Sequence, residues 1–280
     1  MTGRPAQTII ATILGCGSSG GVPRVGNIWG ACDPVEPRNR RRRCALLLEG
    51  FTKGEPEPTR IVVDTGCDLR EQLLSAGVGR VEAVLYTHEH ADHTHGIDDL
   101  RVLALNNRKR VDVYFSQEAA ARIVPSFAYC FTAPAGSDYP PILNQNLIEP
   151  GQTITVSGPG GDVAVTAFAQ RHGNIESLGF RIRDFVYSCD LNGIPEASEL
   201  MVSDAKVWVL DALRPSPHPS HLSLGESLAL IERFQPRQAV LTNLHIDLDY
   251  RTLDAQTPAH VTPAFDGLRI DIDTGALLNR

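Results

Sequence analysis

Short apolar runs rich in valine, isoleucine and leucine punctuate the chain, each bounded by glycine, proline or charged residues. Runs of this kind read as strands buried in a sheet. In the first part they fall at Thr8–Leu14, Cys44–Leu48, Arg60–Val63, Val81–Tyr86 and Val111–Phe115. In the second they fall at Thr153–Val156, Val163–Phe168, Gly179–Ile182, Phe185–Ser188, Val207–Leu210 and Ala239–Leu244. Between some of them the apolar spacing changes to the helical period. Leu69–Ala76 is one such stretch, and Ile97, Leu100, Leu103 and Ala104 share one helical face. The best-marked helix begins at Ser223, where Ser223 and Glu226 form a capping box. Leu224, Leu228 and Ile231 then line one face, and Pro236 ends the element.

Two segments break the pattern. Gly15–Gly21 is a glycine-rich loop directly after the first strand, and Ala128–Pro141 is expected as a surface loop able to overhang a site. The succession of strands and helices predicts an α+β fold of two mixed sheets with helices outside, a four-layer αββα sandwich. No internal repeat, low-complexity tract or long linker interrupts it, so residues 1–280 are expected as one domain.

Charge narrows the field of partners. A formal net charge of −7 argues against a general nucleic-acid binder or a membrane-surface binder, which would be basic. No apolar run approaches the ~18–20 residues that span a bilayer. Met1 to Ala11 lacks a charged start followed by a long apolar stretch, so no signal peptide is expected. The six cysteines are scattered without a C-x-x-C pair, which reads as reduced thiols and a cytoplasmic address.

The chemistry concentrates where the run Val81–Tyr86 ends. There the chain reads Thr87-His88-Glu89-His90-Ala91-Asp92-His93. Imidazole and carboxylate suit divalent ions such as Zn2+ and Mn2+. Alternate residues of an extended chain point the same way, so His88 and His90 can grip one ion, while Asp92 and His93 reach a second. A lone histidine is most often a surface or core residue, but four ligand-type residues at one strand end are a metal-binding pattern.

This segment resembles the signature of the metallo-β-lactamase superfamily. The resemblance implies the αββα fold, two divalent ions (Zn2+ or Mn2+), and further ligands at later strand ends. In Gln170-Arg171-His172-Gly173, His172 matches the third ligand of the first metal; in Tyr187-Ser188-Cys189-Asp190, Asp190 matches the bridging carboxylate. His245, in Leu241-Thr242-Asn243-Leu244-His245, resembles the last ligand of the second metal, although in many relatives that ligand directly follows Leu-Thr, where this chain has Asn243. Asp64, before Thr65-Gly66, matches an aspartate that supports the metal-binding loop. Each of these polar residues also closes or directly follows an apolar run.

A finer resemblance is to the phosphodiesterase branch that opens 5-phosphoribosyl 1,2-cyclic phosphate, related to the tRNA 3′-processing ribonucleases. It rests on Gly15–Pro23, on the arginine run ending at Cys44, and on Ser220-His221-Leu222-Ser223. It implies hydrolysis of a small cyclic or nucleotide-like phosphodiester through a metal-bridging hydroxide, with Asp92 and His221 as catalytic residues. His221 precedes the capped helix, where backbone amides favour an anion, and is expected to protonate the departing oxygen. His218 reads as a loop residue, His260 as unremarkable, and His95 as near the site without being a ligand.

In the basic run Arg38, Arg40, Arg41, Arg42 and Arg43, guanidinium forks suit phosphate. Arg41, Arg42 and Arg43, with Ser18 and Ser19 of the glycine-rich loop, are the substrate-binding candidates. Only Cys32 occurs in Gly26–Cys32, so the additional structural zinc of the best-known enzyme of the branch is not expected. The expected partner is a small anionic phosphodiester, with nucleic acid disfavoured, no membrane, and homodimerisation left open. Competing readings are a tRNA 3′-processing ribonuclease and a thioester or lactam hydrolase of the same superfamily. A diiron redox protein is disfavoured because His90 stands where such relatives carry glutamate.

Overall fold

The computed structural model describes residues 3–280; Met1 and Thr2, the start of the segment read for a signal peptide, lie outside them. In chain order the strands are β1 (Thr8–Gly15), β2 (Ala45–Phe51), β3 (Thr59–Val63), β4 (Ala83–Leu85), β5 (Val111–Phe115), β6 (Leu143–Leu147), β7 (Thr153–Val156), β8 (Val163–His172), β9 (Ile175–Ile182), β10 (Phe185–Ser188), β11 (Val207–Asp211), β12 (Gln238–Thr242), β13 (Val261–Pro263) and β14 (Arg269–Asp271). The helices are α1 (Leu69–Ala76), α2 (Ala91–Thr94), α3 (Leu100–Asn107), α4 (Gln117–Ser126), α5 (Ala128–Phe131), α6 (Glu199–Val202), α7 (Leu224–Phe234) and α8 (Tyr250–Gln256).

One sheet has the order β14-β1-β2-β3-β4-β5-β6 and the other β13-β12-β11-β10-β9-β8-β7. Their facing sides share a core in which Ile13, Leu46, Ile61 and Val63 meet Val165, Phe180, Tyr187 and Val209. The alternate side chains Leu47, Val62 and Val84 point outward onto Leu69, Leu73, Leu100 and Ile123 of the helices. On the far side Trp208, Leu210 and Leu241 pack against Ile231 and Leu253. This is the αββα sandwich.

Strand ends differ from the sequence reading in instructive ways. β4 is shorter than Val81–Tyr86, and β12 stops at Thr242 because Asn243 turns the chain with φ 60°. The expected loop Ala128–Pro141 begins as helix α5. The short strands β6, β13 and β14 carry no apolar run of their own; they form because edge positions supply hydrogen-bond partners.

Parallel pairing positions the site. β3 with β4, and β10 with β11 and β12, run parallel, so their C-terminal ends lie on the same edge of the sandwich. Asp64, Asp190 and Asn243 follow three of those strands in the left-handed region, with φ 65°, 54° and 60°. Asn and Asp tolerate this conformation better than other non-glycine residues. Gly66 and Gly96 let the loops after β3 and α2 touch: a Cβ on Gly66 would fall 2.2 Å from the Asp92 carbonyl oxygen, and one on Gly96 2.1 Å from that of Gly66.

Away from the site, Asp249 caps α8, accepting from the Thr252 amide at 3.0 Å, and takes the Asn39 side-chain amide at 2.6 Å and the Asp33 N–H at 3.1 Å. Partial burial pushes its pKa up, but these hydrogen bonds, led by the Thr252 amide, outweigh it and bring it to about 2. Its stabilising contribution is therefore complete above the unfolded pKa of about 3.9 and is lost as pH falls toward 2. Asp249→Ala should cost about 1–2 kcal/mol at pH 7 by urea denaturation, and the gap to wild type should shrink as pH is lowered from 4. A gap independent of pH would contradict this account.

Candidate metal centre

The cluster is assembled from both sheets. His88 and His90 follow β4, Asp92 and His93 lie in α2, His172 ends β8, and Asp190 follows β10. Ligand atoms of His88, His90, His172 and Asp190 lie within 4.8 Å of one another, as do those of Asp92, His93 and Asp190.

Hydrogen bonds on the far side of four rings decide which nitrogen faces inward. Asp64, fully buried, accepts from the Thr87 amide at 2.8 Å, the Thr87 hydroxyl at 2.8 Å and His93 Nδ1 at 2.7 Å. With its only proton given to Asp64, the Thr87 hydroxyl accepts from His88 Nδ1 at 2.9 Å. His172 Nδ1 donates to the Ser220 carbonyl at 2.7 Å, and His221 Nδ1 to Asp211 at 2.9 Å. Four Nε2 atoms are thereby turned toward one carboxylate oxygen, Asp190 Oδ2: His93 at 3.4 Å, His88 and His172 at 3.8 Å, and His221 at 3.9 Å.

Such a cage fits a cation. His88 Nε2 is buried with no hydrogen-bond partner, a cost that protein interiors seldom carry. Burial, helped by the charge of His93, holds His88 well below the ordinary imidazole pKa, in the neutral ligating form. At His93 burial acts the same way, but Asp190 and Asp64 outweigh it and hold the ring well above its usual pKa, so positive charge is drawn to this point. Outer carboxylates that fix the ring tautomer are characteristic of metal-binding histidines.

His221 repeats the arrangement beside the cage. Burial lowers its pKa, yet the hydrogen bond to Asp211 and the charge of Asp190 leave it raised, while burial pushes the Asp211 carboxyl up to about 6. Both shifts favour a proton held between His221 and Asp211. A cavity of about 330 Å³ opens over these groups; Ser18, Ser19, Arg24, Arg214, His218 and Asn243 contribute to its walls. Neither Arg24 nor Arg214 pairs with a carboxylate among the described residues.

A profile of the beta-lactamase superfamily domain matches residues 59–246, which span β3 to the loop after β12 and hold all the candidate ligands. The chain belongs to the metallo-β-lactamase superfamily. Within the superfamily it sides with the PhnP-like branch: the crystal structure of a new diphosphatase from the PhnP family superposes with a TM-score of 0.82 at 29% identity, over 95% of this chain and 97% of that one. An octanoyltransferase of Porphyromonas gingivalis is 30% identical over 266 residues, 93% of this chain and 51% of that protein. Ribonuclease Z of Bradyrhizobium sp. (strain ORS 278) is 31% identical over 175 residues, 61% of this chain and 53% of that protein. The chain spans about half the length of these curated relatives.

Two expectations for the superfamily site need correction. His245 does not join the cage. The turn at Asn243 carries the chain away, and the His245 ring lies between Arg24, which its Nε2 contacts, and Asp247, 2.8 Å from its Nδ1. Arg41, Arg42 and Arg43 are not in the cavity wall. Their segment packs against the glycine-rich loop, where a Cβ on Gly15 would fall 2.0 Å from the Arg43 carbonyl. Arg41, only 2% exposed, donates to the His245 carbonyl and to Asn39, Arg42 pairs with Asp266 at 2.9 Å, and Arg43 with Asp68 at 2.9 Å. Arg38 lies over Tyr250 and Phe265, and Arg40 over Trp29.

Ser18 and Ser19 do line the cavity, as do His218, expected as a loop residue, and His245, outside the cage. His95 packs on the Phe127 ring, and His260 lies in the turn before β13. Asp211, not among the expected site residues, closes the run Val207–Leu210, the same signal that marks Asp190. Arg24 and Arg214 had no pattern to mark them.

Proposed function

We propose that this protein, as a single hydrolase domain over residues 1–280, hydrolyses a small phosphodiester, cyclic or nucleotide-like. The observation that carries the reading is the convergence of four Nε2 atoms on Asp190 Oδ2 beneath a cavity walled by two arginines without carboxylate partners. His88, His90, His172 and Asp190 would hold one divalent ion, and Asp92, His93 and Asp190 a second, as Zn2+ or Mn2+. When bound, such a pair supplies Lewis acidity and a nucleophile derived from water near neutral pH.

The protein's own groups do the rest. Asp64 fixes the tautomers of His93 and, through Thr87, of His88. Arg24 and Arg214 anchor the anionic substrate in place of the Arg41–Arg43 run, with Ser18 and Ser19 beside them. His221 carries a proton on Nε2 toward the leaving oxygen, and Asp211 keeps its ring aligned, the geometry a general acid requires. A cytoplasmic setting is consistent with six free cysteines. Among the described residues no helix is long and apolar enough to cross a membrane.

A tRNA 3′-processing nuclease is the second reading, favoured by the ribonuclease Z match and opposed by the net charge of −7. The test is a panel of a bis-aryl phosphodiester, a cyclic ribose phosphate, a thioester and a precursor tRNA, with bound metal counted on the same sample. Turnover of the thioester alone would sink the phosphodiester reading, and preference for the precursor tRNA would establish the rival. Arg24→Ala and Arg214→Ala should each lower kcat/KM for the preferred phosphodiester by about 10–100-fold, mainly through KM, the scale of a lost charge-assisted hydrogen bond. Unchanged KM in both variants would remove these arginines from substrate binding.

A further inference from the structure

The two donor groups of the cage are not alike. His88, His90, His172 and Asp190 offer four ligand atoms, whereas Asp92, His93 and Asp190 offer three. Four protein donors close a tetrahedral site; three leave a coordination position to water or substrate.

The cause of the shortfall lies at the end of β12. Its parallel pairing with β11 delivers the next residue to Asp190, and that residue is Asn243, a buried neutral amide. Its Nδ2 donates to Asp190 Oδ1 at 3.1 Å and lies 3.1 Å from His221 Nδ1. Cys189 Sγ lies 3.0 Å from the same Oδ1. Asp190 is thus locked through Oδ1, and only Oδ2 is presented to the cage. An amide nitrogen has no lone pair to give a cation, so the group that orients Asp190 adds no charge and no nitrogen ligand.

Neither neighbouring imidazole fills the gap. His221 shares Asp190 with the cage but falls in a third donor group, with Asp190 and Asp211, and its Nδ1 is held by Asp211; His245 is taken up by Arg24 and Asp247.

We propose that the two cation positions are unequal by construction: the His88–His90–His172–Asp190 position keeps a resident ion, while the Asp92–His93–Asp190 position, with Asn243 at its side, loads and releases its ion according to the free divalent metal around the protein. This rests on the two-cation reading above, and it makes the fully loaded state a function of metal supply. Asn243 is here a positioning residue for Asp190.

The test is Mn2+ binding to the metal-stripped protein, by equilibrium dialysis with elemental analysis and by electron paramagnetic resonance. The first equivalent should give an uncoupled mononuclear signal. The second should bind about 10–100-fold more weakly, the scale on which single groups at a metal site change affinity, and should convert the signal to a spin-coupled pair. Asn243→His should narrow the gap to less than about tenfold, and His172→Ala should weaken the first equivalent instead. Two equivalents binding with equal affinity to the wild-type protein would overturn the inequality and leave the hydrolase reading intact; so would a second equivalent that never couples to the first. No bound Mn2+ at all would defeat the two-cation reading itself. The wild-type isotherm decides the matter even if Asn243→His does not fold.

Discussion

Asp190→Ala is expected to abolish phosphodiester turnover and to strip metal from both positions. Asp190 is the one residue shared by all three His/Asp donor groups, and its Oδ2 is the point on which four imidazoles converge. Without it the rings face one another: His172 Nε2 and His90 Nδ1 are already 3.3 Å apart. The interactions of Asp190 with His93, His88 and His221 overcome its burial and hold its carboxyl well below the usual range. The loss should be at least about 10⁴-fold in kcat/KM, as for the removal of one member of an interdependent catalytic unit. Elemental analysis with steady-state kinetics on the same sample checks it. A variant that kept both ions and a tenth of the activity would show that the cage is not the catalytic centre.

His221→Ala carries the second large effect. If the ring protonates the leaving oxygen, kcat should fall by about 10²–10⁴-fold, while KM and bound metal stay near their wild-type values. Activity on a diester with a very good leaving group, such as a dinitrophenyl ester, should fall least, because its departing oxygen needs no proton. The Nε2 of His221 is almost as close to Asp190 Oδ2 as those of His88 and His172, so a ligand role is the serious competitor. Loss of one ion from His221→Ala would establish that competitor and end the general-acid assignment. Asp211→Asn should follow His221→Ala in direction, since it replaces the carboxylate that holds the ring's tautomer.

The elements differ in how openly the sequence declared them. Helix α7 was fully marked because a capping box, an apolar face and a terminating proline are all local signals, and the box is present as read. The central strands were visible because each is buried on at least one face and must be apolar. β6, β13 and β14 were not, because an edge strand is held by hydrogen bonds to a neighbour that is remote in sequence. In the site, the group from His88 to His93 stands out because its ligands are contiguous. His172 and Asp190 could be placed because they end apolar runs and match the superfamily's motifs.

The chain's own order of residues thus determined the strand and helix inventory, the superfamily, and the residues around which two ions can gather. Tertiary structure alone decided the orientation of the His88, His93, His172 and His221 rings, which depends on Asp64, Ser220 and Asp211 reaching across from other strand ends. It also decided that His245 lies in the cavity wall outside the cage while His221 borders the cage, and that the arginine run braces the fold while Arg24 and Arg214 wall the cavity. The physical reason is the same in each case: residue type limits what a side chain can bind, but the partner available to it is set by strands paired far apart in the sequence.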